Sequence, residues 1–140
     1  MSATTPSEPE GVSGWLLLLT RWFVVGQPIL FAFTASSALG ALAIRGLPLA
    51  LLLVARLLVT AFGLATGLAM TSRRPEAATL AIASLLISAT ADVVALTTSI
   101  WPSNRMPGDT PLYIAGTLAF HAAWIVYLLR SKRVRATFAG

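Results

Sequence analysis

The chain has no cysteine among its 140 residues. Disulfides, thiol catalysis and cysteine-ligated metals are therefore excluded. Charge is nearly as scarce: Lys, Arg, Asp and Glu make up 11% of the residues, where a soluble domain carries about a quarter. Acidic side chains number five and histidine one. No pair of carboxylates is placed for acid–base work, no Ser/His/Asp arrangement forms, and no glycine-rich phosphate loop appears. With no cysteine and a lone histidine, no convincing metal site can be composed either. The expectation is a non-enzyme without cofactor or metal.

What is abundant is apolar surface. Hydrophobic residues reach 56% and the mean hydropathy is +0.80. A soluble fold this short leaves much of its surface exposed and could not hide so much of it. Lipid as the solvent removes the conflict. The net charge of +5 and a pI near 11.2 would fit nucleic acid, but the basic residues sit at the ends of apolar runs. They form no stripe with interleaved aromatics, so they read as topology determinants and no nucleic-acid partner is expected.

Residues 1–12 are polar and proline-containing and read as a disordered cytoplasmic tail. No Lys or Arg precedes the first apolar run and Arg21 interrupts it, so it reads as an uncleaved span. Four apolar segments follow, over about 15–44, 47–70, 77–100 and 111–129. Each has helical length, and lipid admits only helices or closed barrels. No alternating strand pattern occurs. The first is roughly 30 residues, beyond the ~20 that cross a bilayer, and Pro28 is expected to kink it. The links are short apart from a polar loop from Trp101 through Asn104, Arg105 and Pro107 to Pro111. The expected fold is all-α: a polytopic membrane domain over 13–138, an antiparallel bundle of four transmembrane helices with a basic segment at 130–140.

Four spans put both termini and the middle turn on one side. That side carries Arg73, Arg74, Arg130, Lys132, Arg133 and Arg135, and the other only Arg45 and Arg105. Excess Lys and Arg marks the cytoplasmic side, so both termini are expected there. Trp15, Trp101 and Tyr113 fall near span ends, as in aromatic belts. The terminal cations should meet anionic headgroups, at ~1 kcal/mol per residue near the surface. The interspersed Ser131, Thr137 and Phe138 exceed what anchoring needs and leave open a docking role for a partner.

The start, Gly11-Val12-Ser13-Gly14-Trp15-Leu16-Leu17-Leu18-Leu19, and the ending around Trp124, Tyr127, Ser131, Arg133, Val134, Thr137 and Phe138 resemble the DUF2569 family. The helix end at Arg73-Arg74-Pro75 agrees in outline. The resemblance covers nearly all of the chain after the tail. It implies a small four-helix protein of the bacterial inner membrane, and no activity. Family members often have proline before the tyrosine where this chain has Val126, so no kink is required there.

Inside the spans lie Arg56, Asp92 and His121. Counting ~1.5 Å per residue from the ends opposite the cations, Arg56 is ~13 Å deep, Asp92 ~12 Å and His121 ~15 Å. An ion pair between Arg56 and Asp92 is expected. It either joins two helices or holds Asp92 as a proton or cation site, unless Arg56 snorkels outward. His121 reads as a neutral hydrogen-bonded side chain or as a relay with Asp92. Gly63 and Gly67 form a G-x-x-x-G on the face of Arg56 and Thr60, expected to pack helices. Ser84, Ser88 and Ser99 share a face with Asp92 and are expected to support close packing and interhelical hydrogen bonds. Arg21, with Gln27, reads as a snorkelling polar patch.

The leading functional expectation is an accessory or scaffold component acting through helix contacts, with itself or a larger membrane complex. The alternative is a small transporter or channel subunit with a polar path at Arg56, Asp92 and His121. A sensor of lipid charge through the C-terminal tail is a third class.

Overall fold

The computed structural model describes residues 14–98 and 108–138. The tail over 1–12, Ser99, and Trp101, Asn104, Arg105 and Pro107 of the polar loop lie outside the described residues. Within them, regular structure is all helical. Four helices are long and apolar enough to cross a membrane: Gly14–Leu39, Leu47–Thr71, Ala77–Thr97 and Thr110–Arg130. They are the first to fourth spans below. A single turn, Leu42–Arg45, and a terminal helix, Lys132–Phe138, complete the elements.

The first apolar run is not one helix to residue 44. The chain turns at Gly40 and Ala41, where the Ala41 amide bonds to the Ala38 carbonyl at 3.0 Å. Thirty residues of helix would reach ~45 Å, well past a ~30 Å hydrocarbon core, and the helix is interrupted at a glycine. Gly46 then reverses direction at φ 67 and ψ −146, a conformation closed to residues with a Cβ. Pro48 and Pro111 sit in the first turns of the second and fourth spans, where a missing amide costs nothing.

Pro28 acts differently from a simple kink. Trp22–Gly26 form a π-helical turn, and the Gln27 amide bonds back to the Trp22 carbonyl. Pro28 has no amide to donate and its ring crowds the carbonyl four residues back. The preceding turn widens to take up the mismatch. At the other end of the bundle the second span closes with Arg73 at φ 55. The Arg74 amide reaches the Ala69 carbonyl and the Arg73 amide the Met70 carbonyl, at 3.0 and 3.1 Å. This is a Schellman ending with arginine where glycine is usual.

The buried core is concentrated at one end. Leu16, Leu19 and Phe23 of the first span meet Ala69 and Met70 of the second, Ala77, Ala81 and Leu85 of the third, and Leu128 of the fourth. Val134 and Phe138 of the terminal helix join the same cluster. Arg73, Arg74 and the C-terminal cations therefore flank a close-packed end. The terminal segment is not a loose tail: Val134, Thr137 and Phe138 are buried against the bundle, and Ser131 accepts the Val134 amide at 3.4 Å as the N-cap. The aromatic and hydroxyl residues left open for a docking partner are thus used internally.

Gly63 and Gly67 receive the first span. A Cβ on Gly67 would lie 2.5 Å from Val24 Cγ2 and 3.4 Å from the Thr20 carbonyl oxygen, and one on Gly63 would strike the Gln27 amide oxygen. Only glycine permits this approach. Gly67→Val is expected to lower stability by about 2 kcal/mol through overpacking. Gly116→Val, whose Cβ meets nothing within 4 Å, should leave it unchanged. Comparing unfolding midpoints in mixed detergent–SDS micelles checks the contrast.

Candidate functional site

Aromatic contacts join the first and fourth spans. Trp15 and Trp124 meet edge to face with ring centroids 6.5 Å apart, and Trp22 and Phe120 do so at 5.5 Å. Trp124 also meets Tyr127 at 5.8 Å, so residues from both chain ends that carry the family resemblance form one aromatic cluster. Beyond Trp22 the first span packs on the second, and the fourth packs on the third. Among them lies a cavity of about 1080 Å³, bordered by residues from all four spans.

Arg56, Asp92 and His121 converge on its wall. Arg56 Nη1 donates to Asp92 Oδ1 at 2.9 Å, with the side chains 21% and 28% exposed. The Thr117 hydroxyl donates to Asp92 Oδ2 at 3.0 Å. His121 is buried, and its Nδ1 lies 2.7 Å from the Thr117 carbonyl oxygen. A carbonyl can only accept, so Nδ1 carries the hydrogen. Nε2 then faces Asp92 Oδ2 at 3.8 Å, outside hydrogen-bond range. The three side chains come from three spans, and Asp92 is their hub. Its charge is compensated by the guanidinium beside it and by a hydroxyl.

Two further residues belong to this wall and escaped the sequence reading as such. Gln27 Nε2 donates to Ser88 Oγ at 3.0 Å, which ties the first span to the third. Gln27 Oε1 and Trp22 Nε1 are buried without a hydrogen-bond partner. Gln27 therefore serves the cavity and is not part of a patch with the exposed Arg21. Trp22 and Gln27 stand five apart, which separates them by ~140° on an α-helical wheel. The π turn brings residue i+5 back towards the face of residue i, and only the presence of Pro28 hinted at it.

The serine stripe divides. Ser88 makes the interhelical bond just described, whereas Ser84 is buried at 0% exposure with its Oγ unpartnered. The expected interhelical hydrogen bond at Ser84 is not made, because the residue lies in the apolar core beside Ala81 and Leu85, away from the polar wall. Most threonines likewise turn inward on their own helix: Thr20, Thr60, Thr66 and Thr71 each bond the carbonyl four residues back.

The family model described as protein of unknown function (DUF2569) matches residues 9–139. No curated protein matches the chain, and no solved structure does. The match takes in all four spans, the aromatic cluster and the terminal helix, and on that extent the chain belongs to the DUF2569 family, whose function is unknown.

Proposed function

We propose that this protein is a non-enzymatic binding component of the bacterial inner membrane, working through the cavity at Arg56, Asp92 and His121. The observation that carries the reading is the cavity itself. A scaffold acting through helix contacts would keep its intramembrane charges dry and shut between helices, whereas these line about 1080 Å³ of open space. A continuous channel has less support: beyond the charge cluster, towards the basic end, Phe23, Leu85 and Leu128 are 0–3% exposed and apolar. The fitting reading is a one-sided vestibule.

The cations give it an orientation. Six of them flank the close-packed end, which argues for cytoplasmic termini and a cavity in the opposite half of the bilayer. The short links, and contacts in which Thr20 meets Gly67 while Gln27 meets Gly63, support an antiparallel run of the first two spans.

The absence of native cysteine makes the test clean. The thiolate is the reacting form, and hydrocarbon suppresses its ionisation. A cysteine at Gly116, a position on the cavity wall with open space at its Cβ, should react with N-ethylmaleimide about tenfold faster than one at the lipid-facing Leu58 or the buried Ser84. Equal rates at Gly116 and Leu58 would mean no hydrated cavity, and would return the charge cluster to a purely structural role.

A further inference from the structure

Hydrogen-bond donors and acceptors on the cavity wall do not balance. His121 is 5% exposed, and its Nδ1 hydrogen is committed to the Thr117 carbonyl oxygen at 2.7 Å. Nε2 is then a lone pair, and it stands 3.8 Å from Asp92 Oδ2, itself an acceptor. Oδ2 takes the Thr117 hydroxyl at 3.0 Å, while Arg56 donates to the other oxygen, Oδ1, at 2.9 Å. A carboxylate oxygen has room for a second donor. Two acceptors of the wall thus face each other with no hydrogen of their own between them.

The charges do not balance either. Among the described residues that border the cavity, one guanidinium, Arg56, stands against two carboxylates, Asp92 and Asp109. Arg105 lies outside the described residues. An aspartate ahead of a helix ordinarily caps it. Asp109 holds the N-cap position of the fourth span at φ −82 and ψ −11, yet its side chain makes no capping hydrogen bond. The residue borders the cavity instead. Thr117, which holds Asp92, is eight residues further along the same span, ~12 Å by helical rise.

The two imbalances have one complement. A water or an alcohol would fill the gap between Nε2 and Oδ2 but leave the excess carboxylate charge. A quaternary ammonium would carry the charge but has no hydrogen to donate. A protonated amine does both, and with it in place two cations stand against two carboxylates. The remaining wall is aliphatic and aromatic, with Leu30, Phe31, Val59, Leu96, Leu112 and Phe120. Such walls suit an apolar body, and a volume of about 1080 Å³ suits a drug-sized molecule. A small inorganic cation would leave most of that wall uncovered.

We infer that the cavity binds a protonated organic amine with an apolar body, its ammonium donating to His121 Nε2 and Asp92 Oδ2 while Asp109 supplies the balancing charge. The inference rests on the binding role proposed above and names the class of ligand.

Three photo-crosslinkers sharing one diazirine-bearing phenylbutyl body, with a primary amine, trimethylammonium or hydroxyl head, test it on the full chain. Nanodiscs of zwitterionic lipid at pH 7 keep the amine charged and the bilayer neutral. The amine should label the segments around residues 27–34 and 109–121 about tenfold more than either other probe, and excess 4-phenylbutylamine should compete. Asp109→Asn should lower amine labelling about tenfold without changing that of the alcohol, and Asp109→Glu should restore it. Glu76→Gln, which removes an exposed carboxylate paired with Arg74 away from the cavity wall, should change neither. His121→Phe should abolish the preference for the amine over trimethylammonium. An alcohol or trimethylammonium probe that labels as well as the amine overturns the inference, as does an amine signal indifferent to Asp109→Asn. A cavity that reacts with maleimide yet shows no preference for the amine refutes this ligand class and leaves the binding role standing. A Gly116 cysteine no faster than one at Leu58 removes both.

Discussion

Replacing Asp92 by leucine is expected to destabilise the folded bundle by about 3 kcal/mol, because it removes the carboxylate on which the Arg56 guanidinium and the Thr117 hydroxyl converge. The wild-type pair is only partly buried, and its 2.9 Å contact is supported by the Thr117 hydroxyl. Most of the loss is thus the cost of removing the carboxylate that balances a partly buried guanidinium, and little of it is the pair's own net worth. It follows that Arg56→Leu combined with Asp92→Leu should recover most of the stability. A double-mutant cycle in mixed micelles measures this as a coupling energy of about 2–3 kcal/mol. Additive losses would show that Arg56 escapes to an interface and that the pair is incidental to folding. The double variant should still lose the cavity's polar floor, which separates the cluster's part in folding from its part in binding.

The second large effect lies at the opposite end of the molecule. Phe138→Ala removes a side chain that is 6% exposed and seated in the core cluster with Val134, Leu16 and Ala77. The terminal helix is only seven residues long, too short to persist without that packing. A loss of about 3 kcal/mol of docking energy raises the undocked population roughly a hundredfold. Limited trypsin digestion reads this directly, since Lys132, Arg133 and Arg135 lie on the helix and are cut only when it opens. The rate of cleavage there should rise by about two orders of magnitude. Arg135→Ala, at an exposed position whose guanidinium reaches the Arg130 carbonyl at 3.5 Å, should leave cleavage at the other two sites unchanged. If Phe138→Ala also leaves the rate unchanged, the aromatic does not hold the helix, and its hydrophobic face becomes available to a partner.

The two variants bracket what could be read in advance. Four membrane-length helices were legible because a bilayer imposes a one-dimensional constraint: length and hydropathy along the chain suffice. The pairing of Arg56 with Asp92 was legible for the same reason, since rise per residue places them at matching heights on neighbouring helices. Helix faces were less legible. Gly63, Gly67, Arg56 and Thr60 share a stripe by spacing, yet the first two meet the first span while the last two border the cavity. Periodicity marks a face and cannot name the neighbour across it. Ser84 and Ser88 show the same limit, one buried without a partner and the other joined to Gln27.

Where regular helix geometry failed, so did the reading. Trp22 and Gln27 fall on different faces of an ideal α-helix, and the π turn ahead of Pro28 brings them onto one wall. The terminal cations were legible as a charge asymmetry, but Thr137 and Phe138 among them, with Ser131, looked free for a partner. Their burial depends on Ser131 breaking the helix and letting the chain fold back beneath the bundle.

By itself the sequence determined the number of membrane-length helices, the charge asymmetry between the two ends and the pairing of Arg56 with Asp92. All of these follow from composition and rise along a single axis. Only the tertiary structure decided that one end is close-packed and that a cavity lies among the four spans, because that depends on which helices touch. Aromatic contacts hold the first and fourth spans together at Trp15 and Trp124 and at Trp22 and Phe120. The cavity, and the charge cluster's place on its wall, follow from side chains that all four spans bring together.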